Sequence, residues 1–284
     1  MKKTVIIALL ICFSISSFAE RNLVRHEDIK AFLKSTTYVV LEDNPISGYN
    51  FKIKESVEKS WKITPYKFIT SKEFETMRSD IDKSFLVLIQ MKFDKDKIPA
   101  VYNFISLSMG AAVKKITDMP DVCSVPLSYF SVPEDNYIYK IEGLIRFMQA
   151  HIKLINQNPA LIKNNIFDYY NKNTKEVKAK ELWVVENDLE KTTRELVKIR
   201  KNYSYTVKVV TADNIEKAIA EKNPNVIYLH KVGPDGTRLQ ARCYKILLGA
   251  GDDQAYYFDY HSISKSDGEG DGFLDSDFKK VGRK

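Results

Sequence analysis

One arrangement of strand-like and helix-like segments occurs twice in this chain, and this repetition is the strongest constraint on its fold. Residues 66–70 (YKFIT) align with residues 207–211 (VKVVT), 141 positions later. The same offset, without a gap, places residues 84–89 on residues 225–230. Four single residues keep that offset too, since Ala100, Ile105, Leu107 and Gly110 align with Ala241, Ile246, Leu248 and Gly251. The pattern indicates a duplicated unit, and the alternative is two α/β segments that are alike because all α/β units are.

Each copy follows one order of predicted elements. An apolar strand, an amphipathic helix, a second strand, a short helix and a more apolar third strand precede two strands joined by a turn. Continuous apolar strands that alternate with helices indicate parallel strands covered on both faces. The predicted fold class is therefore α/β, with two tandem, duplicated, doubly wound, three-layer-like units. Each unit has a mixed sheet with a parallel core and an antiparallel edge hairpin, and a helical hairpin joins the units.

Helical periodicity is clear in two places. In the second copy, Leu189, Leu196 and Ile199 recur at helical spacing, which predicts a helix over residues 189–203 with Asp188 as its N-cap. Between the copies, residues 136–157 carry one broad apolar face, and Pro159 begins a second helical stretch. The predicted divisions of the chain are a cleaved signal peptide (1–19), a first α/β unit (20–132), a helical hairpin and linker (133–175), a second α/β unit (176–266), and an acidic turn with a C-terminal tail (267–284).

The first residues have the form of an export signal. Lys2 and Lys3 precede an apolar stretch, and Ser17-Phe18-Ala19 gives the small-x-small pattern of a cleavage site. Removal of these 19 residues lowers the formal net charge from +7 to +5. The sequence contains no long block of like charges, so nucleic acid is not predicted as a partner. The prediction is a periplasmic or extracellular protein without a transmembrane segment in its mature chain.

Cleavage at this point leaves two of the three cysteines, Cys123 and Cys243. An oxidising compartment permits one disulfide between them. The sequence cannot show whether their Cα atoms are close enough to be bridged. Two unpaired buried thiols are the alternative, and both remain open at this point.

Polar residues follow the predicted parallel strands, where doubly wound sheets bind ligands. The candidates for ligand binding are Glu42, Asp43 and Thr70 in the first unit and Glu186, Asn187, Thr211 and His230 in the second. The alternative role for most of these residue types is N-capping of the next helix. Neither G-x-G-x-x-G nor G-x-x-x-x-G-K occurs, so no nucleotide or other cofactor is predicted.

Near the C-terminus, oxygen-bearing residues alternate as they do in a calcium loop. Asp267, Glu269, Asp271 and Asp275 take positions one, three, five and nine. Position twelve needs a bidentate carboxylate and is Phe278. The alternative is a solvated acidic turn followed by a short helix from Asp275.

Taken together, these features favour a non-enzymatic binding or assembly module of the cell envelope. The partner is an unidentified protein or small molecule of the envelope. Two alternatives stay open. One is a hydrolase-like envelope enzyme with a cleft between the units, which uses His230 and nearby carboxylates. The other is a two-lobed protein that captures a small ligand.

Overall fold

The computed structural model describes residues 24–93, 96, 100–163, 166–236, 240–263 and 270–282. The predicted signal peptide lies outside these residues. The first unit contains α1 (His26–Phe32), β1 (Thr37–Leu41), α2 (Gly48–Ser60), β2 (Tyr66–Thr70), α3 (Ser71–Met77), β3 (Ser84–Lys92), β4 (Val101–Met109) and β5 (Asp121–Tyr129). Its strands form one sheet in the order β2-β1-β3-β4-β5. β1 pairs in parallel with β2 and β3, and β4 is antiparallel to β3 and β5.

The second unit repeats this plan. It is preceded by α4 (Ile141–Gln157) and α5 (Ile166–Asn171), and it contains β6 (Glu181–Val184), α6 (Leu196–Asn202), β7 (Val207–Val209), α7 (Ala212–Ala220), β8 (Val226–Val232), β9 (Arg242–Gly249), β10 (Ala255–Ser262) and α8 (Asp275–Val281). Its sheet has the order β7-β6-β8-β9-β10, the same as that of the first unit. β6 is parallel to β7 and β8, and β9 is antiparallel to β8 and β10. The predicted fold class, with a parallel core and antiparallel edge strands in each sheet, is confirmed.

Local details repeat at the predicted offset. Thr70 caps α3 by accepting from the backbone N–H of Glu73, and Thr211 caps α7 by accepting from that of Asn214. In both boxes the residue at the third helical position reaches back to the cap, and the two caps have nearly identical backbone angles (φ −81°, ψ 163° and 164°). These two helix starts are equivalent in conformation as well as in sequence, which agrees with a duplication.

The helix predicted over residues 189–203 is shorter than expected. Only Leu196–Asn202 is α-helical, and Lys191–Thr193 forms a short 3₁₀ turn, because the residues at the start of the range have other partners. Leu189 forms a β-bridge with Phe273, and the Asp188 carboxylate accepts from Lys140 instead of capping a helix. The apolar spacing was correct for the burial of Ile199, but it did not show that Leu189 is buried as extended chain.

Helix α4 lies between the two units. Short 3₁₀ turns at residues 134–136 and 138–140 lead into it, so the regular helix begins five residues after the predicted start. On one side, Gln149 accepts from the backbone N–H of Lys62 over 2.7 Å and donates to the carbonyl of Ser60 over 2.9 Å. On the other side, Arg146 donates to Asp253 over 2.6 Å and to the carbonyl of Ile219 over 2.8 Å.

The two sheets also contact each other directly, through β4 and β5 of the first and β8 and β9 of the second. Tyr102 packs edge to face on Tyr244, with ring centroids 5.6 Å apart. The Tyr102 hydroxyl accepts from the backbone N–H of Arg242 over 2.5 Å and is 3.1 Å from that residue's carbonyl. One apolar core therefore runs from the first sheet through α4 to the second. A second core, between the second sheet and α8, includes Phe273 and Phe278.

The close approach of α4 to the second sheet can be tested at Gly143. A Cβ atom at this position would lie 2.0 Å from the Tyr228 hydroxyl oxygen, which is buried and has no hydrogen-bond partner among the described residues. We expect Gly143→Ala to lower the free energy of unfolding by about 1–3 kcal/mol through overpacking, although alanine is ordinarily the better helix former. Tyr228→Phe removes the clashing oxygen and should recover part of this loss in the double variant. Urea denaturation of the four proteins measures the coupling, and strict additivity would contradict the contact.

Candidate functional site at the carboxyl edges of the sheets

The carboxyl ends of the parallel strands of both sheets lie on the same side of the molecule. Asn136, which follows β5, donates from its side-chain amide to the carboxylate of Asp235, which follows β8, over 3.0 Å. β5 runs in the same sense as the parallel strands of its sheet, as β8 does in its own. This hydrogen bond therefore joins the two carboxyl edges, where doubly wound sheets bind ligands.

Four of the predicted ligand-binding residues lie at these edges, at the ends of β2, β6 and β7 or in the segments that directly follow them. Thr70 and Thr211 are N-caps, and each hydroxyl is engaged by its own helix. Glu186 and Asn187 are exposed in a 3₁₀ turn that follows β6. The alternative role as helix caps therefore describes the two threonines.

At the first carboxyl edge, the loop after β1 is held by one side chain of α2. The Asn50 amide oxygen accepts from the backbone N–H of Glu42 over 2.8 Å. Its amide nitrogen donates to the carbonyls of Glu42 and Asn44 over 2.9 and 2.8 Å. Asp43, next in the loop, accepts from the hydroxyl of Ser71. Glu42 and Asp43 are thus brought together on a fixed backbone, with both residues exposed.

The N-terminus of α2, where a phosphate or another anion would bind, is occupied by a carboxylate of the chain itself. Glu134 accepts from the backbone N–H of Gly48 over 2.7 Å and from the hydroxyl of Ser47 over 3.0 Å. Ser47 in turn caps the helix by accepting from the N–H of Asn50. The positive end of the helix is already neutralised, so this position does not recruit an external anion.

The carboxylates at this edge raise the pKa of Glu42. Loss of hydration is the largest cause, followed by the negative charges of Asp43 and Glu134. Burial raises the pKa of the Tyr49 hydroxyl, and the charge of the nearby Glu42 carboxylate raises it further. Among the described residues, no lysine or arginine forms an ion pair with Glu42, Asp43 or Glu134. The first carboxyl edge therefore carries unbalanced negative charge.

The second carboxyl edge differs because its charges are paired. Lys140, which is buried, donates to Asp188 over 2.8 Å. Lys231 donates to Asp235 over 2.5 Å and to Asp271 over 3.0 Å. Burial lowers the pKa of Lys231, but the nearby carboxylates, Asp271 first, more than offset this, so its pKa lies above the ordinary value. These ion pairs lie around the carboxyl ends of β6 and β8.

His230, the histidine assigned to a possible catalytic site, is not at an accessible edge. It lies within β8, which continues to Val232, and its side chain is 0% exposed. Its Nε2 donates to the carbonyl of Pro126 in β5 over 2.8 Å, and its Nδ1 has no partner among the described residues. Burial, together with the charge of Lys140, lowers its pKa to about 3. His230 is a neutral contact between the sheets.

The two cysteines are separate, buried, free thiols, which is the alternative to a disulfide. The thiol of Cys243 donates to the carbonyl of Gly272 over 3.7 Å, whereas Cys123 lies in β5. Burial raises the pKa of both thiols, so neither is a reactive nucleophile.

Of the four candidate calcium ligands, Asp267 and Glu269 lie outside the described residues. Asp271 accepts from Lys231, and Asp275 begins α8, the short helix of the alternative interpretation. In the part of the chain that is described, no group of three His, Cys, Asp or Glu residues is arranged to hold a metal ion.

Several apolar side chains are exposed along the first carboxyl edge. We call Ile46, Phe51 and Phe130 the apolar patch, and they are 89%, 69% and 54% exposed. Ile46 and Phe51 flank the N-terminus of α2, and Phe130 begins the loop whose Glu134 binds that N-terminus. Phe51 lies in α2, and only the structure shows that its side chain is outside the buried face of this helix.

Glu134 and Lys140 are among the residues of these edges that sequence reasoning missed. Lys140 interrupts an apolar run before α4, and a lone lysine in such a run is the one signal that pointed to a buried ion pair. Nothing local identifies Glu134, because its partners are 86 and 87 positions away.

Comparisons with protein-family models, with curated proteins and with solved structures find no match for this chain. Within the described residues, the helices are too short or too polar to cross a membrane.

Because two histidines are buried, we expect the free energy of unfolding to decrease in acid. Burial lowers the pKa of His151 to about 4 and contributes most to the value of about 3 for His230, whereas both titrate near 6.5 when unfolded. Stability is therefore full above pH 6.5 and falls as the pH decreases towards these values. The loss is about 1.4 kcal/mol per pH unit for each histidine, because only the unfolded chain takes up the proton.

His230→Gln keeps a donor for the Pro126 carbonyl but cannot titrate. Between pH 6 and 5, its free energy of unfolding should decrease by about 1 kcal/mol less than that of the unmodified protein. His26→Gln, at a partly exposed histidine that also bonds a carbonyl, is the control and should keep the full decrease. Equal slopes for all three proteins would show that His230 is protonated in the folded state.

Proposed function

We propose that this chain is a non-enzymatic module of the cell envelope, which binds another protein through the first carboxyl edge. The observation that carries the proposal is the apolar patch. Exposed apolar groups that lie together commonly mark a surface that another molecule covers. Ile46 and Phe51 stand on either side of the helix N-terminus that Glu134 already fills, and Phe130 begins the loop that carries Glu134, so this surface offers contact area instead of an anion site.

The position of His230 argues against the hydrolase-like alternative. A catalytic histidine has to reach the substrate, either directly or through one water molecule. His230 is fully buried between β8 and β5, and its Nε2 is used by a backbone carbonyl. The paired charges of the second carboxyl edge likewise support a structural role for that edge.

Residues 1–19 support placement of this module in the envelope, because their charge, apolar run and small residues follow the pattern of an export signal. We expect the protein recovered from its source cells to begin at Glu20. Intact-mass measurement checks this, with a variant that carries Ala19→Arg as the control, which should retain the first 19 residues. A full-length mass for the unmodified protein would contradict export by cleavage.

Binding through the apolar patch predicts a position-specific crosslink. A photoreactive phenylalanine analogue at position 51 should yield one discrete adduct with another protein in the source cells, identified by mass spectrometry. Position 81 is the matched control, because Ile81 is also 69% exposed but lies in the loop before β3, at the opposite edge. Adducts of the same pattern at both positions would indicate non-specific contact.

The same pair of positions tests affinity for the protein that is identified. Phe51→Ser should weaken binding by roughly 10- to 100-fold, since burial of a phenylalanine contributes about 1.5–3 kcal/mol. Ile81→Ser should leave the dissociation constant unchanged. Thermal melting should be similar for both variants, because both side chains are mostly exposed. An unchanged affinity of Phe51→Ser would overturn the proposal.

A further inference from the structure

The first carboxyl edge is acidic although the chain as a whole is basic. The sequence has 44 lysine and arginine residues against 37 aspartate and glutamate residues. Near the apolar patch, however, the acids are Glu42, Asp43, Glu134 and Asp135. Helix α2 also carries Lys52 and Lys54 beside Phe51, and Lys52 is paired with Glu55 and Glu216. The aspartates of the second carboxyl edge are each paired with a lysine, whereas among described residues the four acids near the patch have no such ion pair.

The acidic groups are also held in place. Asn50 fixes the backbone on both sides of Glu42, Ser71 donates to Asp43, and the N-terminus of α2 holds Glu134. Loss of hydration and the two neighbouring charges all raise the pKa of Glu42, which means that each destabilises its ionised form. A cation placed beside Glu42 and Asp43 would relieve this repulsion without any rearrangement of the loop.

From this combination we infer that the binding partner presents a basic segment, in which a lysine or arginine is flanked by apolar side chains. The apolar neighbours would cover Ile46, Phe51 and Phe130, and the cation would lie against Glu42 and Asp43. This inference rests on the proposed function and adds the chemistry of the partner to it.

A basic side chain fits this surface better than a metal ion or an anionic lipid surface does. A lysine or arginine has an apolar stem as well as a charged end, so it can contact the apolar patch and the carboxylates together. A metal ion would use the carboxylates alone, and no suitable group of ligands lies among the described residues. An anionic lipid surface would be repelled by the same carboxylates.

The test uses a random peptide display library, selected on the purified chain. Three surfaces are compared with the unmodified one: Phe51→Ser, the double variant Glu42→Gln with Asp43→Asn, and the control Ile81→Ser with Asp82→Asn. Ile81 and Asp82 are exposed neighbours at the opposite edge, so the control removes the same kinds of group elsewhere. Circular dichroism and thermal melting establish that all variants are folded.

We expect the selected peptides to be enriched in lysine or arginine beside leucine, isoleucine or aromatic residues. For a peptide resynthesised from the selection, both Phe51→Ser and the double acidic variant should raise the dissociation constant roughly tenfold. The control should leave it unchanged. An increase in salt from 50 to 500 mM should weaken binding to the unmodified chain and have little effect on binding to the double acidic variant.

The outcomes separate this inference from the proposed function. Peptides that lose affinity with Phe51→Ser, but have no basic enrichment or are insensitive to the acidic variant, would overturn the basic segment and leave the binding module intact. Selection that fails, or that is insensitive to Phe51→Ser, would contradict both. Flotation with vesicles of phosphatidylglycerol, lost in Phe51→Ser, would assign the apolar patch to a membrane and would also overturn the inference.

Discussion

Helix α4 lies between the two units and bonds to both. The relative placement of the units depends on one interaction of this helix, the burial of Arg146. A guanidinium removed from water costs several kcal/mol unless every donor finds an acceptor. Here it contacts Asp253 and the carbonyls of Ile219 and Ala250, all in the second unit. Gln149, one turn further along α4, bonds the backbone after α2 in the first unit. The two copies are therefore held by one helix that belongs to neither sheet, and the sheets meet directly beside it.

The duplicated units share a sheet order and equivalent helix caps, but their carboxyl edges have diverged. In the first, the carboxylate of Glu134 neutralises a helix N-terminus, and the acids around it remain unbalanced. In the second, Lys140 and Lys231 pair with aspartates near the ends of two strands. One edge is thus closed by attraction within the chain, and the other keeps exposed apolar side chains and negative charge. This asymmetry is the reason to look for a partner at the first edge.

The parts of this structure that could be predicted depend on contacts near in sequence. Thr70 and Glu73 indicate a helix start, and continuous apolar runs indicate central strands, so the parallel core and antiparallel edge of each sheet could be predicted from the repeated succession of elements. The helix predicted directly after Asp188 was wrong at its start, because helical spacing of apolar residues cannot exclude an extended segment. Leu189 is held in that conformation by Phe273, which lies far along the chain. His230 was assigned to an edge because it follows an apolar run, whereas its burial depends on β5 of the other unit. The apolar patch was invisible because exposure of Phe51 is a tertiary property.

The place of α4 in the chain has a consequence for biosynthesis. A ribosome delivers the first sheet and α4 before any strand of the second sheet, and domains generally fold in that order. At that stage the α4 face that carries Arg146 and Gly143 has no partner and is still in water. Ile219, Tyr228 and Ala250, which cover this face in the complete structure, all come later in the chain, so the face becomes buried only once the second half has been made.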